Sequence, residues 1–269
     1  MLEHPAGGRA EISLHGAHVL SWTRPGGDEM LFLSRRAVFD VRSAIRGGVP
    51  VIFPQFGPGP LPKHGFARTA RWTLAELRAD RSAAHARLAL RDDDATRAVW
   101  PHPFHLELEA TLDDCLTMRL SVANPGGVPF AFTAALHTYL RVADAGRARL
   151  VGLRGVRYID KVRGGAHAIE TADAVTIAEP VDRIYLEAPR SLRLDDVAGG
   201  RAIEIVQEGF RDTVVWNPWA DGVASLPDMA PDEWRAMLCV EAAAAGDPVR
   251  VAPGGTWSGT QRLRAIPTP

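Results

Sequence analysis

Arg46, Lys63, His64 and Arg68 fall within one stretch, IRGGVPVIFPQFGPGPLPKHGFARTARW over residues 45–72, among glycines, prolines and aromatics. Burying a core does not call for that mixture. Prolines at 50, 54, 58, 60 and 62 argue against a long helix or a central strand across 54–62. The segment reads as a stiff loop that presents cations, and loops of that kind bind or react more often than they merely connect. The alternative is a surface loop whose basic residues are simply solvated.

Two further residues stand out for their settings. His137 lies in FTAALHTYLRV, a run with strand character. Counting by two puts Thr133, Ala135, His137, Tyr139 and Arg141 on one face, with Ala134, Leu136, Thr138 and Leu140 on the other. The first face would suit a polar pocket, although a lone histidine is more often a core residue bonded to backbone. Glu241 sits in MLCVEAAA, where a carboxylate is costly to bury unless paired or used. Desolvation there would raise its proton affinity, which suits a general acid or base near neutral pH. An edge strand with Glu241 facing water is the competing reading, and the flanking Met237, Leu238, Cys239 and Val240 weigh against it.

The elements that must position these residues are short. Runs of strand character occur at 9–15, 18–23, 72–78, 85–90, 104–112, 115–123, 130–141 and 148–153. They continue at 174–178, 184–187, 191–195, 202–207, 213–216, 236–242 and 258–264, punctuated by Gly, Pro, Asn and Asp. Helical periodicity is confined to 92–99, with an aspartate cap, and to one turn at 231–235. Many strands with little helix predict an all-β sandwich or barrel. No repeat or linker divides the chain, so a single domain over 1–269 is expected.

Composition narrows the function. With 31 basic and 32 acidic residues the net charge is −1, which argues against a general nucleic-acid or membrane surface. The cationic loop must therefore serve something small. Cys115 and Cys239 lie in apolar contexts without the spacing of a zinc site or redox pair, and read as buried thiols of a cytoplasmic protein. The histidines at 15, 18, 85, 102, 105 and 167 show no metal-ligand spacing. Neither a secretory signal nor a membrane-spanning run is visible, and there is no P-loop, nucleophile elbow or dinucleotide fingerprint. Trp216-Asn217-Pro218-Trp219 is an aromatic turn that could stack on a sugar, though taken by itself it reads better as a corner of the core.

Taken in order, RGGVPVIFPQFG (46–57), HGFARTARW (64–72), LHTYLRV (136–142), GLRGVRYID (152–160), VDRIYL (181–186), VVWNPW (214–219) and WRAMLCVEAA (234–243) resemble the aldose 1-epimerase superfamily, in its hexose-6-phosphate mutarotase branch. The resemblance implies a β-supersandwich and interconversion of sugar anomers by ring opening and reclosure, with no metal or organic cofactor. It implies that His137 is the general acid toward the ring oxygen and Glu241 the general base toward the anomeric hydroxyl. Asp182 matches a carboxylate that holds sugar hydroxyls, and His64 a pocket-lining histidine. Arg46 and Arg68 match arginines suited to phosphate, since a guanidinium presents a planar fork of donors, and Lys63 and Arg141 are possible helpers. The implied partner is a small sugar phosphate bound by a monomer, with no nucleic acid or membrane involved.

Overall fold

The structure, a computed structural model, describes residues 1–5 and 7–267. Two large antiparallel sheets carry the fold. One has nine strands in the spatial order Ala174–Val175, Ala148–Val151, Ser191–Asp196, Arg201–Glu208, Thr256–Pro267, Leu116–Ala123, His105–Leu112, Ala84–Arg91 and Thr73–Ala79. The other has eight. Its path runs Ala166–Ile169, Arg157–Asp160, Val181–Tyr185, Asp212–Asn217, Met237–Val251, Phe130–Leu136 and Val51–Ile52, and Tyr139–Arg141 also pairs with Met237–Val251. A small sheet of Leu2–Glu3, Arg9–Ser13 and His18–Thr23 accompanies them. The all-β expectation is borne out.

Burial follows the sequence pattern in the nine-stranded sheet. Leu106, Leu108, Ala110 and Leu112 alternate with more exposed neighbours, as do Leu116, Met118, Leu120 and Val122. One face thus packs inward and the other meets water. The eight-stranded sheet behaves differently at its centre. Every residue of Met237–Ala244 is buried. Leu238, Val240, Ala242 and Ala244 join the main core with side chains of the nine-stranded sheet, while Cys239 and Ala243 pack into separate clusters on the opposite side. A strand covered on both faces needs no polar alternation, which explains why the run is apolar apart from Glu241.

Where sequence and structure differ, short elements are responsible. The run 130–141 is two strands, broken at His137–Thr138, where the His137 N–H donates to the Pro50 carbonyl at 3.0 Å. The face assignment survives the break. Thr138 donates to Gln261 on the inter-sheet side with Ala134, Leu136 and Leu140 in the core, while Ala135 packs against Ile52 and Val214 on the other side. The aspartate-capped helix is Asp94–Val99, with a full capping box from Asp93 and Thr96. The strands Arg157–Asp160 and Ala166–Ile169 are not marked in the sequence. The second is exposed throughout its length at the sheet edge, so no pattern of burial is written into it. Among the described residues no helix is long and apolar enough to cross a membrane.

The start of the cationic loop is seated by close backbone approach. A Cβ on Gly48 would lie 2.3 Å from the Val19 carbonyl oxygen, and its φ of +57° is itself unfavourable for other residues. His18 packs beside it, fully buried, with Nε2 2.7 Å from the Gly47 carbonyl. Burial lowers the His18 pKa from 6.5 to about 4. As pH falls through this range the unfolded chain takes up a proton that folded His18 refuses, so stability present above pH 6.5 is progressively lost. The shift predicts a loss on the order of 3 kcal/mol by pH 4 from this residue. Urea midpoints measured between pH 7 and 4 should fall, and fall less steeply in His18→Gln; equal slopes would refute the assignment.

Candidate active site

Four adjacent strands of the eight-stranded sheet bring distant segments into one row. Asp182 is in register with Trp216, Trp216 with Cys239, and Cys239 with Tyr139. Val214 pairs with Glu241 in the neighbouring row, and His137 follows directly on Leu136, the partner of Ala242. Side chains paired across a ladder share a face, so Asp182, Trp216, Tyr139 and Glu241 all project from the side away from the inter-sheet core. They line a cavity of about 410 Å³ together with His137, Lys161 and the cationic loop.

The loop closes over this face because its own bonds hold it there. The Gln55 amide donates to the Gly57 and Leu61 carbonyls and accepts from the Leu61 N–H, stapling the proline-rich segment. The Phe56 N–H donates to the Thr133 hydroxyl at 2.7 Å. Phe53 anchors the base of the loop among Phe66, Trp100, Phe104 and Phe132. His64 adopts a φ of +67° and accepts the Gly57 N–H at Nδ1. That bond leaves Nε2 to carry the ring proton. Burial, and then the positive charges of Arg68 and Lys63, push the His64 pKa down to about 3, so it is a neutral donor.

At the inner end of the cavity, His137 Nδ1 lies 3.2 Å from Glu241 Oε1. The two are not aligned for a hydrogen bond, and both His137 Nδ1 and Glu241 Oε2 lack a partner. The imidazole is gripped by rings instead. It stacks on Tyr139 at 4.8 Å and meets His64 and Trp216 edge-on. Burial, reinforced by His64, Arg46 and Arg68, holds His137 well below the usual imidazole range. Glu241 is only 1% exposed, and burial followed by the nearby Asp182 charge drives its pKa well above the usual carboxyl range. Both groups are therefore favoured in their neutral forms.

The cavity's charges are unequally matched. Arg46 pairs with Asp228 at 3.2 Å and donates to the Tyr139 hydroxyl at 3.0 Å. Lys161 lies 3.5 Å from Asp182 and above the Phe56 ring. Arg68 donates to the Lys63 carbonyl, but neither Arg68 nor Lys63 forms an ion pair among the described residues. Burial lowers the pKa of both, and for Lys63 the neighbouring Lys161 adds to the effect. With Glu241 protonated, the cavity carries two cations without a carboxylate partner.

The structure thus brings His137, Glu241, Arg46, His64, Arg68, Asp182 and Lys63 together in one cavity. Arg141 is not there; it is exposed, and only its backbone engages a neighbour, accepting from Arg201. Arg141 keeps the expected face, opposite Met237 as Tyr139 is opposite Cys239, but lies at the end of its strand beyond the cavity. Lys161 and Asp228 line the cavity without having been singled out by sequence, whereas Trp216 enters it from the aromatic turn that the sequence offered as a sugar-stacking surface. Lys161 and Asp228 sit in ordinary polar surroundings and give no local signal.

A family model described as aldose 1-epimerase matches residues 1–264. The chain belongs to the aldose 1-epimerase family. Among curated relatives, one from Cenchrus ciliaris, named "putative glucose-6-phosphate 1-epimerase", is 38% identical, spanning 96% of this chain and 82% of the relative. An Escherichia coli K12 protein of the same name is 35% identical over 93% of this chain and 84% of its own length. A crystal structure described as a "putative mutarotase (YeaD)" from Salmonella typhimurium superposes with a TM-score of 0.92 at 33% identity, covering 98% of this chain and 89% of that one. In this aldose 1-epimerase family member, Gly65 carries the turn between His64 and the segment bearing Arg68. Its φ is +68°, and a Cβ there would sit 2.1 Å from the Phe53 carbonyl oxygen. Gly65→Ala should therefore destabilise the fold by more than about 1 kcal/mol, read as a lower urea midpoint; an unchanged midpoint would mean that the loop yields freely.

Proposed function

We propose that this protein interconverts the α and β anomers of a hexose 6-phosphate, with glucose 6-phosphate as the preferred substrate. One observation carries the reading: a buried imidazole and carboxyl 3.2 Å apart share a cavity with two cations that lack carboxylate partners. Anomerisation requires one group to give a proton to the ring oxygen while another takes one from the anomeric hydroxyl. Both oxygens are bonded to the same carbon, so an acid and a base lying side by side suit the task. No nucleophile or redox partner is needed.

His137 is assigned as the acid toward the ring oxygen and Glu241 as the base toward the hydroxyl. The neutral pair that burial favours holds the same protons as an imidazolium beside a carboxylate. Starting from the charged arrangement, proton donation by His137 and uptake by Glu241 open the ring and return both groups to their neutral forms. The roles exchange on closure, after rotation about the bond next to the anomeric carbon has presented the other face of the aldehyde. Tyr139, His64 and Trp216 keep the imidazole in a single orientation throughout.

Arg68 and Lys63 are assigned to the phosphate, with Arg46 positioned by Asp228 beside them. A phosphate monoester carries about −1.5 to −2 charge near neutral pH, which balances the two unmatched cations. Asp182, oriented by Lys161, and the His64 Nε2–H are assigned to sugar hydroxyls. A cavity of about 410 Å³ lies within the ~300–1,000 Å³ range of small-ligand sites. The names of the relatives from Cenchrus ciliaris and Escherichia coli support the same substrate class. The whole chain is taken to act as one domain.

His137→Asn and Glu241→Gln should each lower kcat for glucose 6-phosphate anomerisation at least ~10²-fold, the usual worth of a positioned acid or base. Circular dichroism should remain that of the native protein. Near-normal rates in both variants would sink the assignment. Arg68→Ala should raise KM for glucose 6-phosphate about 10-fold or more, as loss of a charged hydrogen bond of ~1.5–3 kcal/mol implies, with little change for free glucose. Equal effects on both sugars would place the phosphate elsewhere, and faster turnover of galactose than of glucose 6-phosphate would instead favour a mutarotase of unphosphorylated aldoses.

A further inference from the structure

The proposed chemistry leaves Cys239 unused. Its thiol belongs to the cross-strand row between Trp216 and Tyr139, two residues from Glu241 on the same strand face. It is fully buried, and packs with Phe32, Tyr139 and Met237. The ligand atoms of His137, Cys239 and Glu241 all lie within 4.8 Å of one another. Two atoms of this trio, His137 Nδ1 and Glu241 Oε2, are buried without any hydrogen-bond partner. A nitrogen, a thiolate sulfur and a carboxylate oxygen make a ligand set suited to a borderline-soft divalent ion and unsuited to Mg²⁺ or Ca²⁺.

We propose that His137, Cys239 and Glu241 form an inhibitory site for Zn²⁺, entered through the sugar cavity. Tetrahedral Zn²⁺ with bonds of ~2.0–2.2 Å to nitrogen and oxygen places those two ligands about 3.3 Å apart. The observed His137 Nδ1 to Glu241 Oε1 distance is 3.2 Å. Drawing the sulfur in to about 3.6 Å from the nitrogen completes three corners, and the fourth opens onto the cavity that His137 and Glu241 line. Binding displaces the thiol and carboxyl protons to solvent and leaves all three residues otherwise unaltered. The ion occupies the acid and the base together, so it stops proton transfer and excludes the sugar. Its binding is independent of the reaction proposed above, whereas its inhibitory effect rests on that reading.

Co²⁺ serves as the spectroscopic probe for Zn²⁺. Titrating the full-length protein with Co²⁺ should produce a thiolate-to-cobalt charge-transfer band in the near ultraviolet. That band should persist in Cys115→Ser, disappear in Cys239→Ser and be abolished by added Zn²⁺. No band in the unaltered protein, or a band that survives Cys239→Ser, overturns the site whether or not the enzyme is a mutarotase. If Cys239→Ser does not fold, His137→Asn, which keeps the thiol, must still weaken Co²⁺ binding at least about tenfold, the low end of what losing even a ligand's supporting partner costs; unchanged affinity overturns the site. For the inhibitory role, Zn²⁺ should slow glucose 6-phosphate anomerisation reversibly, with EDTA restoring the rate. The Zn²⁺ concentration that halves the rate should rise as glucose 6-phosphate is raised. Zn²⁺ that binds without slowing an otherwise active enzyme, or inhibition indifferent to the sugar phosphate, overturns that role.

Discussion

The site depends on one costly placement: a carboxyl group on a strand that is covered on both faces. Glu241 lies in the central strand Met237–Val251, with the inter-sheet core on one side and the cationic loop closing the other. One of its oxygens has no hydrogen-bond partner. Burying an ionised carboxylate in that way is prohibitive, so the group keeps its proton until something in the cavity makes the charge worth forming. His137 is under the opposite pressure with the same result. Two groups pushed toward neutrality by one desolvated cavity can exchange protons with a substrate near neutral pH, where an exposed carboxylate would hold none.

The other cavity residues are organised around that desolvation. The loop from Arg46 to Arg68 keeps water from the inner wall, and its own polar atoms are largely satisfied by Gln55, Thr133 and backbone carbonyls. Aromatic rings hold His137 where hydrogen bonds would otherwise have been needed. The charges are divided by role. Arg46 and Lys161 are tethered to Asp228 and Asp182, which fixes their positions, while Arg68 and Lys63 keep their charge available to an anion. A cation already paired contributes less to binding a phosphate than one left unmatched in a partly buried wall.

Much of the architecture was legible before the fold was seen. The strands Ala84–Arg91, His105–Leu112 and Leu116–Ala123 alternate cleanly because one of their faces meets water, and the aspartate cap of the Asp94–Val99 helix is a purely local device. Glu241 was conspicuous for the opposite reason, as a charge in a run with no polar alternation. The strand break at His137, the exclusion of Arg141 and the exposed edge strand Ala166–Ile169 were not legible. Each depends on what packs alongside, and neighbours brought together by folding leave no periodic mark.

By itself the sequence determined an all-β chain with a proline-stiffened cationic loop and with an imidazole and a carboxyl in settings where neither belongs unless used. These follow from backbone restriction, side-chain periodicity and the cost of burying charge, all of which are properties of local composition. Only the tertiary structure decided that residues 182, 216, 239 and 139 form one row, and that Asp228 and Asp182 take up two of the cavity's four cations, Arg46 and Lys161. Strand register and long-range ion pairing are set by the packing of whole sheets. They are therefore written nowhere in the local sequence around any one of the residues they join.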